Sequence, residues 1–380
     1  MRMVGSRVYN EIAEKYPIDV RPVRYNPTFE GFKRPCTINI CGIKDSGKSM
    51  LNECIAIRHE RILDLMSSMD NESLCWLRDT SPIDDIQLVV GDNVDLDCSW
   101  DYKQISDLTL KDILSYEGTV LCNSFFHSKE KKFMAIQNIV ELLFQRLAWK
   151  HPTRANLIYI LIRESNSFIY SRIAQGVNQA QAKADFIYFT RELRHFGCTA
   201  GVDLLRWTAT DKDLRDNADY TLFKQIGSKR LPGDKDWLYA FFHPVLFSRM
   251  KAWEFVIDKK DASLGFGTSP ALPFHKEEGV DLLAELGIIV TKGEDIIEGT
   301  TNVLGDKEHE MLVRRYLDIG CKSMEQAREG TSYSKATVQF HVSRHNKGID
   351  ERGFCPLCKR LESDIFQTKA INPRYVRKRP

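Results

Sequence analysis

The sequence predicts an α/β fold: a mainly parallel sheet flanked by helices, followed by a small, mainly α C-terminal module. Three observations lead there. Short apolar runs alternate with helical stretches from Cys36 onward. A glycine-containing turn at residues 42–49 joins an apolar run to a helical pattern. From Asp306 the pattern turns helical. The expected organisation is an extended arm over residues 1–35, a core domain over 36–300 and a module over 301–380.

Each element has its own reason. Pro17, Pro22, Pro27 and Pro35 among basic and aromatic residues make 1–35 an arm. Residues 37–41 form a short apolar strand. Leu51, Ile55, Ile62, Leu63 and Met66 suggest a helix over 50–68. Residues 70–117 hold 12 acids against three bases, Arg78, Lys103 and Lys111, and read as a solvated acidic face around one strand at 87–90. A strand is expected at 119–126 and a helix at 132–149. The run at 156–163 is the strongest buried strand. A helix over 179–196 and strands at 198–205, 220–225 and 253–258 follow. Gly265, Gly267, Pro270 and Pro273 mark a loop-rich stretch before a short helix at 280–286.

Composition narrows the class. With 380 residues, 43% hydrophobic and 28% charged, the chain suits two or three globular domains rather than bulk disorder. The longest apolar run, around 157–162, is too short to span a bilayer. Residues 1–10 lack the apolar stretch of a secretory signal. Ten cysteines, mostly scattered singly, suit a reducing, cytoplasmic setting. The net charge of +2 hides an asymmetry. Residues 301–380 carry 16 Lys and Arg against 10 Asp and Glu, so residues 1–300 are net acidic. Arg374, Arg377, Lys378 and Arg379 end the chain as a basic tail.

Residues 42–49 read G-I-K-D-S-G-K-S, the G-x-x-x-x-G-K-[ST] phosphate loop in its strand–loop–helix context. The glycines let successive N–H groups curl around one anion, and the following helix aims its positive end at it. Gly42, Ile43, Lys44, Asp45, Ser46, Gly47, Lys48, Ser49 and Met50 are the candidate ATP-binding residues. Lys48 meets the β and γ oxygens, and the Ser49 hydroxyl is a candidate Mg²⁺ ligand. The fold expected is therefore that of a P-loop NTPase with a RecA-like sheet.

Such a site needs an apolar strand ending in acid. The run L-I-Y-I-L-I at 157–162, followed by Arg163 and Glu164, is the candidate. The usual pair is Asp then Glu. Here Arg163 takes the first place, leaving Glu164 as the candidate base for the attacking water. Ser49 and Asp203 are candidates for holding Mg²⁺. A plain charged strand end, or a site that binds ATP and hydrolyses it poorly, remains an alternative.

The order of G-I-K-D-S-G-K-S, then L-I-Y-I-L-I-R-E-S-N-S-F, R-E-L-R-H-F-G (191–197), A-G-V-D-L-L-R (200–206) and D-L-R-D-N-A-D-Y (213–220) resembles the HerA/FtsK superfamily of DNA-pumping ATPases. The Arg-Glu form of the acidic strand is similar to ATPases of archaea and their viruses or plasmids. The resemblance covers residues 36–230. It implies catalysis by Glu164 and a γ-phosphate sensor at Asp203 or Arg206, where the family's usual Gln is missing. It implies an arginine finger acting in trans from Arg194 or Arg215. It also implies a hexameric ring of identical chains around DNA.

The C-terminal module shows helical patterns at 308–320, 323–329 and 334–346. They resemble a helix-turn-helix with Lys335, Gln339, Arg344 and His345 placed to meet duplex DNA. A protein-binding bundle is the alternative. Cys355 and Cys358 form a C-x-x-C pair, and His341 and His345 lie one helical turn apart upstream. The four suit a reversed Cys₂His₂ Zn²⁺ site. The function expected is an ATP-driven DNA motor. The alternative is a nucleotide-gated DNA-binding regulator.

Overall fold

The structure is a computed structural model that describes residues 11–12, 14–27, 35–65, 71–145, 158–163, 165, 179–227 and 230–292. The chain divides after Lys292, and residues 293–380 lie outside the described residues. The helix-turn-helix, the basic tail and the four zinc candidates Cys355, Cys358, His341 and His345 all fall there.

In chain order the elements are β1 (Asp19–Arg24), β2 (Thr37–Cys41), α1 (Lys48–Ala56), β3 (Arg61–Leu65), β4 (Ile86–Val90), β5 (Val94–Asp97), β6 (Asp101–Gln104), α2 (Leu110–Ser115), β7 (Gly118–Leu121) and α3 (Lys129–Phe144). There follow β8 (Ile158–Ile162), α4 (Gln179–Phe196), β9 (Cys198–Leu204), α5 (Lys212–Asn217), β10 (Tyr220–Phe223), α6 (Pro244–Arg249), β11 (Glu254–Lys259), β12 (Leu264–Thr268), α7 (Leu282–Leu286) and β13 (Ile289–Lys292).

The main sheet of the described residues runs β1-β12-β11-β10-β2-β9-β8-β3-β7-β4-β6. From β10 to β6 every neighbour is parallel. Beyond β10 the strands β11, β12 and β1 add on antiparallel. This is the α/β architecture with a mainly parallel sheet. Strands β2, β8 and β9 are buried along their whole length, as parallel strands covered on both faces must be.

Several expectations are corrected. The helix expected over 50–68 ends at Ala56, and β3 begins at Arg61. Ile62, Leu63 and Leu65 are buried along β3, and a continuous buried strand satisfies the same apolar spacing as a helix face. The strand expected at 119–126 stops at Leu121, because Asn123–Phe125 closes a 3₁₀ turn. The acidic stretch 70–117 is not a solvated face around one strand. It supplies β4, β5, β6 and α2, with Leu74, Trp76 and Leu88 in the core. The acids alternate outward on β5, where Val94 and Leu96 point in. Within the expected arm, β1 pairs with β12, and its edge position tolerates Pro22.

Among the described residues no helix is long and apolar enough to cross a membrane.

Helix α1 packs on β8 and β9 through a polar stripe. Tyr159 of β8 donates to Asn52 Oδ1 of α1, and a Cβ at Gly201 of β9 would lie 1.9 Å from that hydroxyl. Glycine is therefore what lets helix and strands close there. Below the stripe His59 is buried, with Nδ1 3.2 Å from the Ile55 carbonyl and its ring 4.7 Å from Tyr159. Burial pushes the imidazole pKa down to about 3. Between pH 6.5 and 3 the unfolded chain takes up this proton and the folded chain does not. Stability is expected to fall with pH across that window, by at most about 1.4 kcal/mol per pH unit from this group. Denaturant titrations of the wild type and His59→Leu check this: the variant should show the shallower slope.

Candidate functional site

The loop 42–49 leaves the end of β2 and is pinned on both sides. Gly42 N–H donates to Leu204 O at the end of β9, and Ile43 N–H donates to Gln225 O beyond β10. Gly47 then turns into α1 with φ 78°, a left-handed conformation that L side chains avoid. It also lies against residue 252: a Cβ there would come within 2.2 Å of the Ala252 carbonyl. Lys224, fully buried, donates to that same carbonyl from behind the loop. Burial, with Lys48 nearby, brings the Lys224 pKa down to about 7. Sequence reasoning passed over Lys224. A lysine closing an apolar strand at the β2 edge was its available signal.

A cleft of about 550 Å³ opens over the loop. It is lined by residues 44–50, by Glu72, Asp203, Leu205 and Ala252, and by residues 275–279. Lys48 Nζ rests 2.7 Å from the Ile43 carbonyl. Ser46 Oγ donates to the same oxygen at 2.8 Å. The Ser49 hydroxyl lies 3.2 Å from Glu72 Oε2 and 3.3 Å from Asp203 Oδ2. One hydroxyl thus lies between two carboxylates. Burial first, then Glu72, raises the Asp203 pKa, against the pull of Lys48, Arg163 and the Asn52 hydrogen bond, to about 7. Asn52 Nδ2 donates to Asp203 Oδ1 at 2.9 Å and so aims the carboxylate at Ser49.

A hydroxyl and two carboxylates are hard oxygen donors that fit Mg²⁺, which keeps several waters of its own. Among the described residues no cluster of three or more His, Cys, Asp and Glu forms a fuller metal cage. Asp203 was a sequence candidate and stands beside Ser49. Glu72 was missed because the acidic stretch containing it read as surface.

Arg163 does not face this cleft. Its guanidinium is 0% exposed and lies among carboxylates beneath α1. Nη1 donates to Glu53 Oε1 at 2.6 Å, Nη2 to Asp64 Oδ2 at 2.8 Å, and Nε to the same Asp64 oxygen at 2.9 Å. Glu72 Oε2 is 3.6 Å from Nη1. Burial opposes the charge, and Asp64 and Glu53 more than restore it, so the guanidinium stays ionised. Glu53 is fully buried on α1. Burial alone would raise its carboxyl, but His275 and Arg163 outweigh that and bring it down to about 2. His275 Nδ1 lies 2.7 Å from Glu53 Oε2. Burial works against the imidazolium, and Glu53 overrides it, raising the His275 pKa.

The other candidates fall elsewhere. Glu164 lies outside the described residues, between Arg163 and Ser165, whose Oγ donates to the Asp203 carbonyl at 2.6 Å. Arg194 belongs to α4, and its side chain lies outside the description. Arg215 of α5 sits 5.5 Å over the Trp207 ring and 3.9 Å from Asp234, in a second cleft. Arg206 is exposed beyond the end of β9.

No family model and no curated protein matches the chain. Among solved structures, the genome packaging NTPase B204 from Sulfolobus turreted icosahedral virus 2, in complex with ATP-gammaS, is similar at 16% identity. The match covers 63% of this chain and 98% of that one, with a TM-score of 0.35. Thermomonospora curvata EccC (ATPases 2 and 3), in complex with a signal sequence peptide, is 11% identical over 68% of this chain and 41% of that one, TM-score 0.36. A protein described as an ATPase is 11% identical over 73% and 98%, TM-score 0.39.

Removing the Arg163 charge would leave Asp64 buried with no cation and Glu53 with His275 alone. Arg163→Met is expected to cost roughly 3–5 kcal/mol of stability, read from denaturant unfolding. A loss under 1 kcal/mol would show that the network is not what fixes α1.

Proposed function

We propose that the chain is an ATP hydrolase that works as a DNA motor. The observation that carries the nucleotide reading is the cradle at the end of β2: a pinned loop, a left-handed Gly47, Lys48 at the start of α1, and Ser49 between two carboxylates. Loop amides and the α1 N-terminus bind the phosphate chain, and Lys48 meets its β and γ oxygens. Ser49, with Asp203 and Glu72 behind it, holds Mg²⁺. The metal supplies charge neutralisation on the phosphate oxygens. Glu164 takes the proton of the attacking water, and Arg194 or Arg215 reaches a neighbouring subunit's nucleotide in trans.

Motor action is the further step. It is supported by the resemblance of residues 36–230 to DNA-pumping ATPases and by the basic balance of residues 301–380. The working form is a ring of identical chains, a hexamer, in the cytoplasm. Duplex DNA is engaged by the helix-turn-helix, with Zn²⁺ on Cys355, Cys358, His341 and His345 bracing the module.

ATP turnover is expected to rise with duplex DNA and to fall by about a hundredfold or more in Lys48→Ala and in Glu164→Gln. Turnover indifferent to DNA sinks the motor reading, and full turnover in Glu164→Gln sinks the base. Removing residues 301–380 is expected to weaken DNA binding and flatten its dependence on salt, as lost phosphate contacts require. An unchanged salt slope places the DNA contacts elsewhere.

A further inference from the structure

We propose that residues 275–279 form a second wall of the nucleotide site, and that His275 on this wall contacts the phosphate chain of a bound nucleoside triphosphate. The inference rests on the reading of residues 42–49 as a nucleotide loop.

Three observations carry it. First, His275 and Lys276 line the same cleft as Lys48 and Ser49, although they lie more than two hundred residues away in sequence. Two basic residues thus border the cleft from outside the strand–loop–helix unit, followed by Glu277, which is paired with Arg78, and by Glu278. Second, the wall is fastened. Arg78 donates to the carbonyls of Phe274 at 3.4 Å and His275 at 2.9 Å, and it pairs with Glu277 and Glu285. Trp76 packs on Phe274 with ring centroids 5.2 Å apart. Third, the imidazole is aimed. Its Nδ1 is engaged by Glu53, whose carboxylate is 0% exposed and is held from the far side by Arg163.

With Nδ1 committed to Glu53, the ring's second nitrogen, Nε2, is the atom left for a ligand. A quarter of the side chain is exposed. A histidine whose Nδ1 meets a carboxylate favours the doubly protonated ring, so Nε2 is a donor suited to an anionic oxygen. Glu53 lies one helical turn beyond Ser49 on α1. The helix that presents the hydroxyl for the metal therefore also carries the carboxylate that aims the histidine. A phosphate chain between the two walls meets loop amides and Lys48 on one side and His275 on the other.

The test titrates ATPγS into full-length wild type, His275→Gln, His275→Arg and Lys48→Ala. The Gln variant is expected to bind at least about tenfold more weakly, as loss of a charge-assisted hydrogen bond implies. The Arg variant, which restores a cation, should stay within about threefold of wild type. Unchanged affinity in His275→Gln overturns the contact. Equal losses in the Gln and Arg variants overturn it too, since they show a side chain that only supports the wall. If Lys48→Ala or the wild type itself shows that ATPγS does not depend on the loop, the nucleotide reading fails and takes this inference with it.

Discussion

The buried guanidinium of Arg163 is the contact on which the site depends. It reaches from the end of β8 to three consecutive segments about a hundred residues earlier in sequence: α1 through Glu53, β3 through Asp64, and the 3₁₀ helix after β3 through Glu72. Charges placed this deep cost several kcal/mol each to desolvate, so the pair is a poor source of net stability. What it secures is position. Replacing one partner leaves the others unmatched, so α1 cannot rotate or slide without exposing a charge to the core. The phosphate loop is the N-terminal continuation of that helix, and its geometry inherits the constraint.

Two periodicities meet at this helix. Along α1, Ser49, Asn52 and Glu53 fall at i, i+3 and i+4 and share one face. Along β8, Tyr159 and Arg163 are four residues apart and point to the same side, as Gly201 and Asp203 do along β9. The pairings follow rung by rung: Ser49 with Asp203, Asn52 with Asp203 and Tyr159, Glu53 with Arg163. Sheet order brings this about, because β9 separates β2 from β8 and so lies directly beneath the helix that β2 feeds. A stripe of polar groups is tolerated in the interior because its members satisfy one another.

The phosphate loop and the buried strands were legible in the sequence because each is a local pattern. Residues 37–41 and 179–196 were read with the bounds that the structure has, and the strand at 158–162 was read within two residues. What the sequence concealed is long-range. Glu53 looks like an ordinary helix-surface acid until Arg163 and His275 are seen to arrive from 110 and 222 residues away. Glu72 sits in a stretch so acidic that nothing local marks it out from the rest. Arg163 was read as the occupant of a metal-holding position, since it stands where that acid is expected in the chain. Counting by twos from a buried Tyr159 gives the correct side of the sheet but not the identity of what waits there.

The arginine at the end of β8 and the two carboxylates around Ser49 are best understood together. An aspartate at position 163 would meet Glu53 and Asp64 at close range, and three buried acids could not all ionise. With arginine there, the charge beneath α1 is balanced, and β8 has no acid at this position to offer the cleft. The acids that border Ser49 come instead from the flanks, from Asp203 on the neighbouring strand and from Glu72 after β3. Arg163 reaches both, lowering the Asp203 pKa and lying 3.6 Å from Glu72. One cation in the core thus acts on both of the acids that border Ser49.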